Sequence, residues 1–171
     1  MRLADAQTVV AQSNFSGGDE GWTVGTLFQP TSISVPVQWR ANGGIPGAHI
    51  RTDIPAVPLL AFAAPASFLG DRSSLYGGVI EYQINPDVTV PMNDRMLVVI
   101  SSGNLNLQLM LPASISAGWG SASLPFNTDT APWEVTPTDP DRWGEHGVLA
   151  TEQQMRDVLS NLTSLRIPAV Y

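Results

Sequence analysis

Two histidines, fifteen carboxylates and five tryptophans are the side chains with which this 171-residue chain could do chemistry. Their spacing assembles no familiar catalytic device. There is no Gly-x-Ser-x-Gly elbow, no phosphate-cradling glycine loop and no His-Glu-x-x-His pair. His49 lies in a strand-like segment and His146 in a polar one, so no shared acid–base role is expected of them. Any two acids can meet in space as a glycosidase pair does, but no spacing here selects two. DPDRWGEH offers Asp139, Asp141 and Glu145 in the manner of a calcium loop, yet Trp143 stands where a ligand is needed. The chain reads as non-enzymatic.

The tryptophans suggest a different chemistry, because sugar-binding sandwiches stack pyranose rings on exposed aromatic faces. Trp22 and Trp39 sit in strand-like contexts and read as core, and Trp119 reads as the start of a strand. Trp133 and Trp143 fall in NTDTAPWEVTPTDPDRWGEHG (127–147), rich in Pro, Asp and Thr, which reads as a long exposed loop. These two are the candidate ligand-binding residues, each weighed against folding back onto the core.

Other chemistries are excluded by composition. With no cysteine there is no disulfide, zinc–thiolate site or thiol nucleophile. The net charge is −7, all eight basic residues are arginine, and no basic stripe exists to neutralise phosphates, so nucleic acid is not an expected partner. No segment is apolar for long enough to cross a bilayer, and MRLADAQTVVAQSNF lacks the apolar stretch of a signal peptide.

The elements that must position these residues are mostly strands. Fifteen glycines and fourteen prolines among only 13% charged residues suit short strands joined by tight turns. In TSISVPVQW, Ile33, Val35, Val37 and Trp39 alternate with polar residues, and Pro36 belongs at an edge or bulge. VIEYQI puts Ile80, Tyr82 and Ile84 on one face. LVVI (97–100) is a strand covered on both faces. LNLQLML sets Leu105, Leu107, Leu109 and Leu111 against Asn106, Gln108 and Met110, and SSGN before it reads as a hairpin turn. One helix is expected in ATEQQMRDVLSNLTSL, where Met155, Val158, Leu159 and Leu162 share a stripe. Thr151 is its N-cap and Gln154 completes a capping box. The fold class is mainly β: an antiparallel jelly-roll β-sandwich with one short C-terminal helix.

Four blocks in order give this pattern a family likeness: NFSGGDEGW (14–22), NGGIPGAHIRTD (42–53), APASFLGDRSSLYGGVIEY (64–82), and the stretch from Ala150 to Tyr171. Together they resemble the laminin IV type A domain, also called the laminin B domain. The third block is the most specific. Its Phe68, Gly70, Asp71, Tyr76, Gly77 and Gly78 read as architecture: a loop pinned over the core that aims the next strand. The resemblance divides the chain into an N-terminal arm, 1–13, and a sandwich domain, 14–171. It implies a jelly roll related in shape to carbohydrate-binding modules and a non-catalytic role in an extracellular protein. Sandwiches of that shape can hold a structural calcium, for which Asp19, Glu20 and Asp53 are the candidate ligands. No other cofactor is expected.

The expected function is a structural or adhesive surface module decorating an assembly, such as a phage capsid or tail. The alternative is a carbohydrate-binding module of a secreted bacterial protein. Expected partners are other protein subunits, including copies of the same chain, and surface carbohydrate, with neither nucleic acid nor membrane. Its expected location is a virion surface or the extracellular space. Tyr171 precedes the closing segment of the family pattern, which leaves an open sheet edge, and the arm with Leu3, Val9 and Val10 would lie against a neighbour.

Overall fold

The computed structural model describes residues 8–27, 34–53, 60–86, 95–111, 117–137 and 145–169. Its centre forms where the chain alternates most cleanly. Strands β7 (Arg95–Ser102) and β8 (Leu105–Leu111) pair antiparallel through a two-residue turn, with Ser102 opposite Leu105. Around them grows an eight-stranded antiparallel sheet. Its further strands are β1 (Thr23–Thr26), β2 (Ser34–Pro36), β5 (Leu60–Ala63), β10 (Trp133–Val135), β11 (Val148–Leu149) and β12 (Ser164–Pro168). The order across the sheet is β11-β10-β8-β7-β12-β5-β1-β2.

Two short ribbons complete the sandwich. Strands β3 (Gln38–Arg40) and β4 (His49–Arg51) form one, and β6 (Val79–Ile84) with β9 (Gly120–Pro125) forms the other. Trp119, just before β9, joins them by donating its indole N–H to the carbonyl of Gly43 at 2.8 Å. The main core holds Val98, Ile100, Leu107 and Leu109 of the large sheet, with Leu124, Phe126 and Trp133. A second cluster gathers Trp22, Val24, Val37, Leu60 and Ile167. Phe68 and Tyr82 touch both, which makes the interior continuous.

The helix α1 (Glu152–Ser160) forms as its periodicity requires. Met155, Val158 and Leu159 are fully buried, and Leu162 follows them into the same core. Thr151 accepts from the Gln154 backbone N–H at 3.2 Å while the Gln154 side chain accepts from the Thr151 N–H at 2.9 Å, a closed capping box. The helix packs beside β7 and β8.

Two expectations need correcting. TSISVPVQW is not one strand: it leaves the large sheet at Pro36 and re-enters as β3 in a different ribbon. Pro36 has no N–H to extend the ladder, and buried Val37 turns into the Trp22 cluster at the crossing. β2 is an outer strand of its sheet, as Pro36 requires; Ile33 and the side chain of Val35 lie outside the described residues. Segment 127–147 is not simply a loop, because β10 inside it is an interior strand between β8 and β11. The face opposite the β8 leucines is covered as well: Gln108 is fully buried and Met110 nearly so. Val99, Met110, Ala61 and Leu27 form a small apolar cluster on that side, which explains the unbroken Val98–Ile100 run.

Candidate functional site

The aromatic–glycine block at 68–82 is bound into the fold at both ends. Phe68 closes a 3₁₀ turn, Ala66–Phe68, and meets Trp22 edge to face with ring centres 5.4 Å apart. Gly70 and Leu162 exchange two backbone hydrogen bonds of 2.8 Å, and the Arg72 N–H donates to Leu159, which ties the block to the end of α1. The Asp71 carboxylate accepts from the Ser73 N–H and hydroxyl at 2.9 and 2.7 Å, and these bonds, the backbone one foremost, hold its pKa below the usual carboxylate value. At the far end, the Gly77 N–H donates to Phe126 and the Gly78 carbonyl accepts from it, which starts the β6–β9 ladder. Gly77 sits at φ 83°, a conformation that a side chain would strain. Tyr76 packs on the core beneath the guanidinium of Arg156, 3.7 Å from its ring centre.

Two of the three proposed calcium ligands, Asp53 and Asp19, are engaged in other contacts. Asp53 pairs with Arg51, whose Nε donates to it at 2.7 Å and whose Nη2 also contacts it, and this pairing lowers its pKa. The Asp19 carboxylate accepts from the N–H of Gly21 in its own turn at 3.0 Å. Glu20 occupies a left-handed turn position at φ 53° beside it. Among the described residues no three acids or histidines converge as a metal would require. A divalent cation at Asp53 would have to displace a guanidinium, so these residues do not fit the metal.

Trp133 is not a sugar platform. It is 1% exposed, its ring stacks on Phe126 at 5.9 Å, and its indole N–H donates to the Pro125 carbonyl at 2.8 Å. It faces the core because it is paired with Leu109 across the ladder. Trp143, Asp139 and Asp141 lie outside the described residues. Trp22 is core as expected, whereas Trp39 stays 38% exposed at the rim, its N–H bonded to the Phe15 carbonyl.

A buried polar cluster lies under residues 145–147, on the outer face of the large sheet. Glu134 accepts from Gly147 N–H at 2.9 Å, bonds the His146 ring at 2.8 Å and lies 3.4 Å from the Gln108 amide. The same amide donates to the Glu145 carbonyl at 2.8 Å. These contacts lash the returning chain across β8 and β10. Periodicity cannot reveal them, since they join residues 26 and 37 positions apart. The two histidines serve different places, His146 on Glu134 and His49 edge-on to Trp119 at 5.6 Å.

Beyond this cluster the sheet, among the described residues, ends at β11, where Val148 is 77% and Leu149 64% exposed. Val9 is 69% exposed on the N-terminal arm, whose first seven residues, including Leu3, lie outside the described residues. No helix among the described residues is long and apolar enough to cross a membrane.

Comparison with known proteins agrees with this architecture. The family model described as Laminin B (Domain IV) matches residues 61–171. That span holds the whole 64–82 block and runs through α1 and β12, while blocks 14–22 and 42–53 precede it. Among solved structures, the L4b domain of human laminin alpha-2 is similar in fold, with a TM-score of 0.57 at 14% identity over 89% of each chain.

Proposed function

The chain belongs to the laminin B (domain IV) family, a family of non-catalytic structural modules in extracellular proteins, and from this premise we propose that it is an adhesive surface module. Its setting in this reading is the outside of an assembly such as a phage capsid or tail, where it is held by contacts with neighbouring protein subunits, copies of itself included. The observation that carries the reading is β11. Two adjacent large apolar side chains stand exposed on a strand that, among the described residues, is the outer one of the main sheet, and an outer strand can pair with another chain. The exposed Val9 and Val10 of the arm add a second apolar surface. The alternative of a carbohydrate-binding module loses its platform at Trp133, which is inside the core.

The test is a pair of variants, Val148→Asp with Leu149→Asp, and a deletion of residues 2–12. Exposed positions tolerate polar substitution within about 0.5 kcal/mol, so both proteins should melt as the parent does. Self-association, followed by sedimentation, and attachment to the native assembly should be lost. A doubly substituted protein that still assembles at full occupancy would exclude β11 as the contact.

A further inference from the structure

The outward face of the β3–β4 hairpin carries a row of planar polar groups that the fold does not require. Register sets Gln38 opposite Arg51 and Arg40 opposite His49, so the four side chains share one face, with Cβ atoms about 4.5–5.5 Å apart across the strands. Ile50, on the other face, packs into the Trp22 cluster. Arg40 donates to the Gln38 side-chain oxygen at 2.6 Å, Arg51 holds Asp53, and Gln38 bonds that same carboxylate. Asp53 balances Arg51. The exposed Arg40 bonds Gln38 and the Trp39 carbonyl, and among the described residues no carboxylate forms an ion pair with it. Trp119 closes one end of the row against His49.

We propose that this face binds an acidic polysaccharide, with Arg40 taking a sugar carboxylate or sulfate in its planar fork and Gln38 and Asp53 reading adjacent hydroxyls. The guanidinium suits such an oxyanion because its donors lie in one plane and match two oxygens at once. The site is a local cationic island on a chain of net charge −7, so an anion gains attraction here. Interleaved donors and acceptors favour a glycan over an acidic peptide. A glycan sets hydroxyl groups beside each of its anionic groups, for Asp53 and Gln38 to bond, and a polyglutamate chain brings none. The imidazole of His49 gives an internal reporter: burial lowers its pKa first, and Arg51 and Arg40 lower it further. An anion docked at the arginines would offset their repulsion, and the His49 pKa would rise.

The experiment is calorimetric titration of the full chain, at low and at moderate salt, with oligogalacturonate, dextran sulfate, neutral dextran and polyglutamate. Binding of oligogalacturonate, dextran sulfate or both is expected, with the two arms separating carboxylate from sulfate recognition, and affinity should fall with salt. Arg40→Gln should weaken it at least tenfold, and Arg40→Lys, which keeps the charge but loses the fork, by less. The His49 ring resonances should titrate at higher pH in the complex. Absence of binding by both charged glycans, equal affinity for polyglutamate or neutral dextran, or an Arg40→Gln protein of unchanged affinity would each overturn the proposal. The hairpin belongs to a different sheet from β11, so Val148 and Leu149 can be substituted without touching this face, and the two readings fail separately.

Discussion

Strand β8 and the β3–β4 hairpin both alternate apolar with polar residues, and they end in opposite surroundings. On β8 the polar side is as deep as the apolar side: Gln108 and Leu107 are both at 0% exposure. On the hairpin the polar side reaches water at Arg40 and Arg51, and Trp39 on the other side remains 38% exposed. Alternation assigns a residue to a face. Whether that face is covered depends on which strands flank it and which segment returns across it. β8 lies inside an eight-stranded sheet beneath residues 145–147, whereas the hairpin is a two-stranded ribbon.

The contrast can be broken by mutation, and the largest effect belongs to the shared core. Leu107→Ala and Trp133→Ala should each cost about 2–5 kcal/mol, because truncation leaves a cavity that the close-packed sandwich cannot fill. Trp133→Ala also leaves the Pro125 carbonyl without its donor. Urea melts of these two beside Arg40→Ala, expected within about 0.5 kcal/mol of the parent, test the claim directly. Equal losses at all three positions would mean that the hairpin face is as buried as β8.

The next effect probes the covered polar face. Glu134→Gln keeps one of the two oxygens that bond Gly147 and His146 but puts an NH2 group in place of the other, and should cost about 1–3 kcal/mol, as a buried polar group that loses its partner does. A side chain at Gly147 has no room either, since its Cβ would stand 1.9 Å from the Val135 carbonyl oxygen. Gly147→Ala should therefore displace the returning segment and speed hydrogen exchange of the β10 amides, leaving exchange in the hairpin unchanged. Faster exchange in both regions would show that the two are coupled.

A smaller effect tests local structure that the chain encodes by itself. Thr151→Ala opens the capping box and should cost about 1 kcal/mol, read from thermal unfolding. Smallest is the pH response of Asp71. Its pKa is depressed in the folded state by Ser73, so its contribution is complete above the ordinary carboxylate range and disappears as pH falls through the depressed value. Asp71→Asn should flatten the acid limb of the melting temperature slightly. A parent and variant with the same acid limb would remove Ser73 as the cause.

Much of this fold is local and therefore legible in the residues. The capped helix, the β7–β8 hairpin, the doubly covered Val98–Ile100 run and the Gly77–Gly78 step each follow from propensity, period or backbone freedom within a few positions. The candidate sites were less legible, because a site depends on which groups already have partners. Asp53 looks like a free oxygen ligand until Arg51 is seen beside it, and Trp133 looks exposed because its three-residue strand sits in a stretch rich in proline and polar residues. The residues alone determined a cysteine-free, acidic β-sandwich with one helix and a family block that pins a loop over the core. Only the tertiary structure decided that Gln108 and Glu134 are buried together, that Pro36 and Val37 pass the chain between sheets, and that Trp119 bonds the Gly43 carbonyl and closes on His49. Each of these depends on how segments are brought together in space, and hydrophobic periodicity carries no record of what lies opposite a face.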